Sequence, residues 1–150
     1  MPQNSTVPSA QNDWPAGHDY TAPSSIRILL VDDQPRVRQG WRMALSLEAD
    51  MEVVGEAADG EEAVRRASTL QPAVVVMDVE MALMDGIEAT RVLKGEVPTC
   101  AVIVVSIHDT EQIRSDALAA GAAAFISKQD PIEALLVAIR QCGADPHRSL

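Results

Sequence analysis

Ile26-Arg27-Ile28-Leu29-Leu30-Val31, followed at once by Asp32-Asp33, is a short apolar run that ends on two carboxylates. Runs of the same kind recur at Met51 to Val54, Ala73 to Met77, Ala101 to Val105 and Ala122 to Ile126. Short stretches rich in Val and Ile suit strands covered on both faces. Helix-length amphipathic stretches lie between them and carry start and stop signals. Asp59 with Glu62 forms the pattern of a capping box. Asp109 with Gln112 repeats it, and Gly121 suits the end of that helix. Asp130-Pro131 opens the last helix, with proline at the first helical position and Glu133 as box partner. The order is β-α five times over. Strands alternating with helices imply an α/β fold in which a parallel sheet carries helices on both faces.

The chain has 150 residues, 47% of them hydrophobic, which is enough for one domain with a real core. The formal net charge of −10 argues against nucleic-acid binding by this chain itself. Cys100 and Cys142 sit in no metal or redox spacing, as expected of reduced thiols in a cytoplasmic protein. No apolar stretch approaches the roughly 20 residues of a membrane span. Four of the nine prolines (Pro2, Pro8, Pro15, Pro23) fall in residues 1–24, among Ser, Thr, Asn and Gln. That segment is expected to be a disordered tail, with a docking peptide anchored by Trp14 and Tyr20 as the alternative. Residues 25–143 form the expected folded domain, and 144–150 a C-terminal tail.

Parallel sheets place their sites at the carboxyl ends of the strands, beside a switch in strand order. Here those ends carry Asp32-Asp33, Asp78, Ser106 and Lys128. A single Asp after a strand is usually a cap or turn residue. Five such groups at successive strand ends ask for a shared explanation. Two like charges about 4 Å apart repel by roughly 4 kcal/mol at an effective dielectric of about 20. The cluster therefore calls for a cation or a raised pKa. All-oxygen ligation suits Mg²⁺, which favours a few carboxylates, water and phosphate. Lys128 offsets charge and meets one phosphoryl oxygen, Ser106 meets another, and Asp78 is the natural nucleophile.

The segment Val74-Val75-Val76-Met77-Asp78-Val79-Glu80-Met81-Ala82-Leu83-Met84-Asp85-Gly86 resembles the phosphoacceptor region of response-regulator receiver domains. Val31-Asp32-Asp33 resembles their acidic pair, Val104-Val105-Ser106 their switch hydroxyl, and Phe125-Ile126-Ser127-Lys128 their switch aromatic and lysine. Separations of 45, 28 and 22 residues from Asp33 to Asp78 to Ser106 to Lys128 fit as well. The likeness runs from about Ile26 to Cys142. Val53 to Gly60 and Lys128-Gln129-Asp130-Pro131 are most similar to receivers joined to a C-terminal helix-turn-helix. The chain as given ends soon after its last helix, as a stand-alone receiver or as part of a longer regulator.

The resemblance implies a flavodoxin-like (βα)5 fold with strand order 2-1-3-4-5. It implies that Asp78 becomes a 4-aspartylphosphate at the expense of a histidine kinase or phosphotransfer protein. Asp33, Asp78 and the backbone carbonyl of Glu80 would hold Mg²⁺, with Asp32 acting mainly through water. Ser106 and Phe125 would relay the signal, Phe125 turning inward, to the surface of the fourth helix, fifth strand and fifth helix. An output partner or a homodimer would meet that surface. Such a protein is a signalling element and not an enzyme in the usual sense, since it catalyses only its own phosphotransfer and slow dephosphorylation. Three residues depart from the family pattern. Ala82 replaces a usual proline, Gln129 replaces a proline that is often cis-linked, and Ile107 stands where a small residue is common. A trans bond is expected before Gln129. Ile107 is bulky and stiff enough to slow access to Asp78 if it leans over it.

The alternative from another class is a receiver-fold interaction module that works without phosphorylation. Retention of every acidic, hydroxyl and amine group weighs against it. A phosphatase with an aspartyl nucleophile would use a second acid at Glu80 and a cap domain, for which no segment is seen. A flavin carrier of the same strand order needs a glycine- and hydroxyl-rich phosphate loop where Asp32-Asp33 stand.

Overall fold

A computed structural model describes residues 25–143. The expectations for the two tails lie outside the described residues. The strands are β1 (Ile26–Val31), β2 (Met51–Ala57), β3 (Val74–Asp78), β4 (Ala101–Ser106) and β5 (Ala124–Ser127). The helices are α1 (Pro35–Ser46), α2 (Gly60–Leu70), α3 (Gly86–Glu96), α4 (Glu111–Ala119) and α5 (Ile132–Gly143). All strand pairs are parallel and the order is β2-β1-β3-β4-β5, the flavodoxin-like arrangement. The chain leaves β1 toward β2 and then returns to place β3 on β1's other side. The switch in strand order thus falls between the ends of β1 and β3, where Asp32 and Asp78 lie.

The pleat divides the apolar runs between two cores. Leu29, Val31, Val75, Met77, Val102 and Val104 face α2, α3 and α4 through Ala63, Ala67, Ala89, Leu93 and Ala117. Their neighbours Ile28, Leu30, Val74, Val76, Ile103 and Val105 face α1 and α5 through Trp41, Leu45, Leu135, Ala138 and Ile139. Alternate side chains on a strand point to opposite faces, so a continuous apolar run is what a sheet covered twice requires. Among the described residues no helix is long and apolar enough to cross a membrane.

The start signals held in part. Asp59 caps α2 by accepting from the Glu62 amide at 2.8 Å, and Glu62 Oε1 returns a bond to the Ala58 amide. Gly121, at φ +109°, follows the end of α4 in a conformation that favours glycine. The cap of α4, however, is Thr110, whose hydroxyl accepts from the Ile113 amide. Asp109 instead pairs with Arg114 at 2.7 Å. Asp130 turns back toward the sheet and accepts from the Ser127 amide at 3.2 Å. β2 is longer than its apolar run because Gly55, Glu56 and Ala57 continue the ladder past a bulge opposite Ile28 and Leu29. No described peptide bond is cis, so Gln129 is trans-linked.

Gly86 fixes the approach of α3 to the site. A Cβ there would fall 1.9 Å from the carbonyl oxygen of Asp78, closer than any side chain tolerates. Gly40, exposed in the middle of α1, has nothing within 4 Å of such a Cβ. Gly86→Ala should lower unfolding stability by about 3 kcal/mol through forced displacement of backbone. Gly40→Ala should raise it by about 0.5–1 kcal/mol through helix propensity. Urea melts of both variants against wild type check the pair; equal effects would mean that Gly86 is not held against Asp78.

Candidate functional site

Three acidic groups meet at the switch point. Asp32 and Asp33 follow β1, Asp78 ends β3, and each offers an oxygen within 4.8 Å of the others. Their exposures differ: Asp32 is 0% and Asp78 1% exposed, whereas Asp33 is open to solvent. Lys128 crosses from the end of β5 to both buried carboxylates, with Nζ 2.8 Å from Asp32 Oδ2 and 2.9 Å from Asp78 Oδ1. Its ammonium also lies 5.9 Å from the ring centroid of Trp41, a buried residue of α1. The end of β5 is held in register by the Lys128 amide, which donates to the Ser106 carbonyl at 2.8 Å.

The two buried carboxylates are satisfied unequally. Asp32 Oδ1 accepts from the Gln34 amide at 2.8 Å, and Oδ2 accepts from Lys128. Asp78 Oδ1 is buried and no donor is directed at it; Lys128 is close enough to attract it but off the direction of a hydrogen bond. An orphaned buried acceptor is costly unless another positive partner completes it. Burial pushes the Asp78 carboxyl up to about 7; the Lys128 ammonium opposes this, and the charges of Asp32 and Glu80 reinforce it. Burial alone would lower the pKa of Lys128, but its two carboxylate partners outweigh this and raise it. The donor set, three carboxylates with one oxygen unfilled, is the chemistry of a hard divalent cation.

Ser106 and Phe125 are both buried. The Ser106 hydroxyl is fully buried and donates to Glu80 Oε2 at 2.6 Å. Phe125 is only 8% exposed, within the core beside α4, and the Arg114 guanidinium lies over its ring at 4.6 Å. The Phe125 ring is thus directed inward in this structure. Ile107 is 50% exposed.

Three participants escaped the sequence. The Glu80 carboxylate binds the Ser106 hydroxyl, whereas the resemblance pointed to its backbone carbonyl. Arg38 donates through NH1 to the Asp32 carbonyl at 2.5 Å and pairs through Nε with Glu56. Trp41 lies beside the amine of Lys128. The i, i+4 spacing of Val37, Trp41 and Leu45 is the one signal that marks this helix face as inward.

Comparison with known proteins agrees with this geometry. A family model described as the response regulator receiver domain matches residues 28–140. The response regulator protein VraR of Staphylococcus aureus is 40% identical over 119 residues, covering 78% of this chain and 56% of that protein. The transcriptional regulatory protein DegU of Brevibacillus brevis is 36% identical over 117 residues, covering 78% and 50%. The chain spans about half the length of these curated relatives. Among solved structures, the response regulator domain of Thermotoga maritima CheB matches with a TM-score of 0.74 at 36% identity, over 79% of this chain and 96% of that one. The signal receiver domain of the putative response regulator NarL from Mycobacterium tuberculosis matches with a TM-score of 0.73 at 33% identity, over 79% and 98%. The chain belongs to the response regulator receiver domain family of two-component systems.

Proposed function

We propose that residues 25–143 act as a phosphorylation switch: Asp78 takes a phosphoryl group from a histidine kinase or phosphotransfer protein in a Mg²⁺-dependent reaction. The observation that carries this is the buried Asp78 carboxylate with an orphaned oxygen, flanked by Asp32, Asp33 and Lys128. In the transfer, a carboxylate oxygen of Asp78 forms the new bond to phosphorus as the bond from phosphorus to the donor's imidazole nitrogen breaks. The Lys128 ammonium stabilises charge on the transferring oxygens from a fixed position, which is the main thing a protein contributes to this reaction. Asp33, Asp78 and the Glu80 carbonyl would hold the Mg²⁺, whose chemistry is to neutralise the repelling carboxylates and phosphoryl oxygens. Both Asp32 oxygens are already engaged, which supports an indirect role for Asp32. The shape change would pass through Ser106 and Phe125 to the surface of α4, β5 and α5, where an output partner or second copy is met. The site of action is the cytoplasm, and the only reactions catalysed are the chain's own phosphorylation and slow dephosphorylation.

Incubation with acetyl phosphate and Mg²⁺ should add one phosphate to the intact mass of wild type and none to Asp78→Ala. A phosphate increment that survives in Asp78→Ala would overturn the assignment.

The raised pKa of Asp78 sets a pH dependence. A carboxyl whose folded pKa lies above its unfolded value of 3.8 gives stability that is fully present below 3.8 and lost as pH rises through about 7. Mg²⁺ needs the ionised form, so proton and metal compete. Asp78→Asn in chelator should therefore melt higher than wild type at pH 8 and nearly equal to it at pH 4. The rise in melting temperature that Mg²⁺ gives wild type at pH 8 should fade by pH 5 and be absent in Asp78→Asn. Calorimetry across this range checks both signs; a Mg²⁺ shift independent of pH would contradict the role of Asp78.

A further inference from the structure

Ser106 Oγ is engaged on both sides. It donates to Glu80 Oε2 at 2.6 Å and accepts from the His108 amide at 2.9 Å. A serine hydroxyl has one proton to give. A phosphoryl group on Asp78 would present acceptor oxygens, so the hydroxyl can serve that group or Glu80 but not both. The short O–H···O⁻ contact to a carboxylate belongs to the stronger class of hydrogen bonds. Glu80 also reaches past the serine: its Oε1 lies 3.5 Å from the Ile107 amide, at the outer limit of a hydrogen bond. One carboxylate on the loop after β3 thus ties down the start of the loop that leads into α4.

We propose that the Glu80 side chain is a resting-state latch, withholding the Ser106 proton from Asp78 until a phosphoryl group displaces it. The inference rests on the phosphoacceptor reading of Asp78 and concerns a different part of Glu80 from the backbone carbonyl assigned to metal. A ligand shifts an equilibrium only by its differential affinity for the two states. The latch stabilises the resting state alone, so it reduces the apparent affinity for phosphoryl and raises the threshold for switching. Glu80 is partly exposed, so its substitution leaves the two cores intact.

The charge of Glu80 near Asp78 would also repel a phosphoryl group without any latch, and the test separates the two effects. Binding of beryllofluoride with Mg²⁺ is measured on the whole chain by amide resonance shifts. Glu80→Ala should bind about tenfold more tightly than wild type, the size expected for loss of a charge-assisted hydrogen bond that competes with binding. Glu80→Asp, which keeps the charge but shortens the reach, should show a gain as well. In a Ser106→Ala background the gain from Glu80→Ala should largely vanish, because no hydroxyl remains to be withheld. A gain that persists there in full, or no gain in either background, overturns the latch. Failure of wild type to bind beryllofluoride at all would instead overturn the phosphoacceptor reading. The ligand-free spectra decide the latch in that event: its release should move the Ile107 and His108 amides in Glu80→Ala, and unmoved amides overturn it.

Discussion

Two buried carboxylates sharing one ammonium is the constraint on which the rest of this structure depends. Asp32 and Asp78 have almost no exposed surface, and their only common counter-charge among the described residues is Lys128. Taking such charges out of water is costly, and loss of one partner from a buried pair destabilises by about 3–5 kcal/mol because the other is left uncompensated. One ammonium cannot neutralise Asp32, Asp78 and the neighbouring Asp33 together. Burial, reinforced by the charges of Asp32 and Glu80, pushes the Asp78 carboxyl up to about 7, and its Oδ1 has no directed donor. The parallel sheet makes this arrangement possible, because only a fold that aligns strand ends brings residues 96 apart in sequence to 2.8 Å.

Around this centre the polar framework becomes more exposed and contributes less. Arg140 of α5 joins Asp50 through Nε at 2.8 Å and Glu48 through NH2 at 2.6 Å, fastening the last helix to the turn before β2. The Asp50 carboxyl is held below its usual value chiefly by that guanidinium. Glu56 receives Arg38 and Arg42 together. Ion pairs open to water typically add less than about 1 kcal/mol each. Arg38 matters for a different reason, since its second nitrogen holds the carbonyl of Asp32 and so links α1 to the acidic pair. Near the site, position is the commodity, and helix α1 supplies it twice, through Arg38 at the backbone and Trp41 at the lysine.

The sheet and the five strand-end groups were legible in the sequence because both follow from strict geometric rules. A doubly covered strand must be apolar at every position, and a parallel sheet must present its strand ends at one edge. Features that depend on a choice between near-equal local partners were not legible. Asp109 and Thr110 are both able to cap α4, and the choice went to Thr110 once Arg114 engaged Asp109. Asp130, expected to cap the last helix, accepts instead from the Ser127 amide behind it. β2 continues through Gly55 and Glu56 because an edge strand needs no apolar side chain on its open positions, so hydropathy understates its length. The Glu80 to Ser106 bond joins the loop after β3 to the end of β4, 26 residues apart, and no periodicity reports a side-chain torsion.

Ser106 and Phe125 are engaged by different partners in this structure. Phe125 is inward, under Arg114, while Ser106 is still committed to Glu80. Burial of the ring is therefore compatible with a Ser106 hydroxyl bonded to Glu80. The loop that carries Glu80 shows where the remaining freedom lies. It is anchored at both ends: the Val79 amide donates to the Val105 carbonyl, and the Gly86 amide donates to the Val79 carbonyl, both at 3.0 Å. Between those anchors Leu83 is 84% exposed and adopts φ +68°, a left-handed conformation that a residue with a Cβ disfavours. Ala82 leaves the preceding φ unrestricted, where a proline would have fixed it. The loop is thus pinned at its ends and strained at its exposed tip, and Glu80 lies between the anchors.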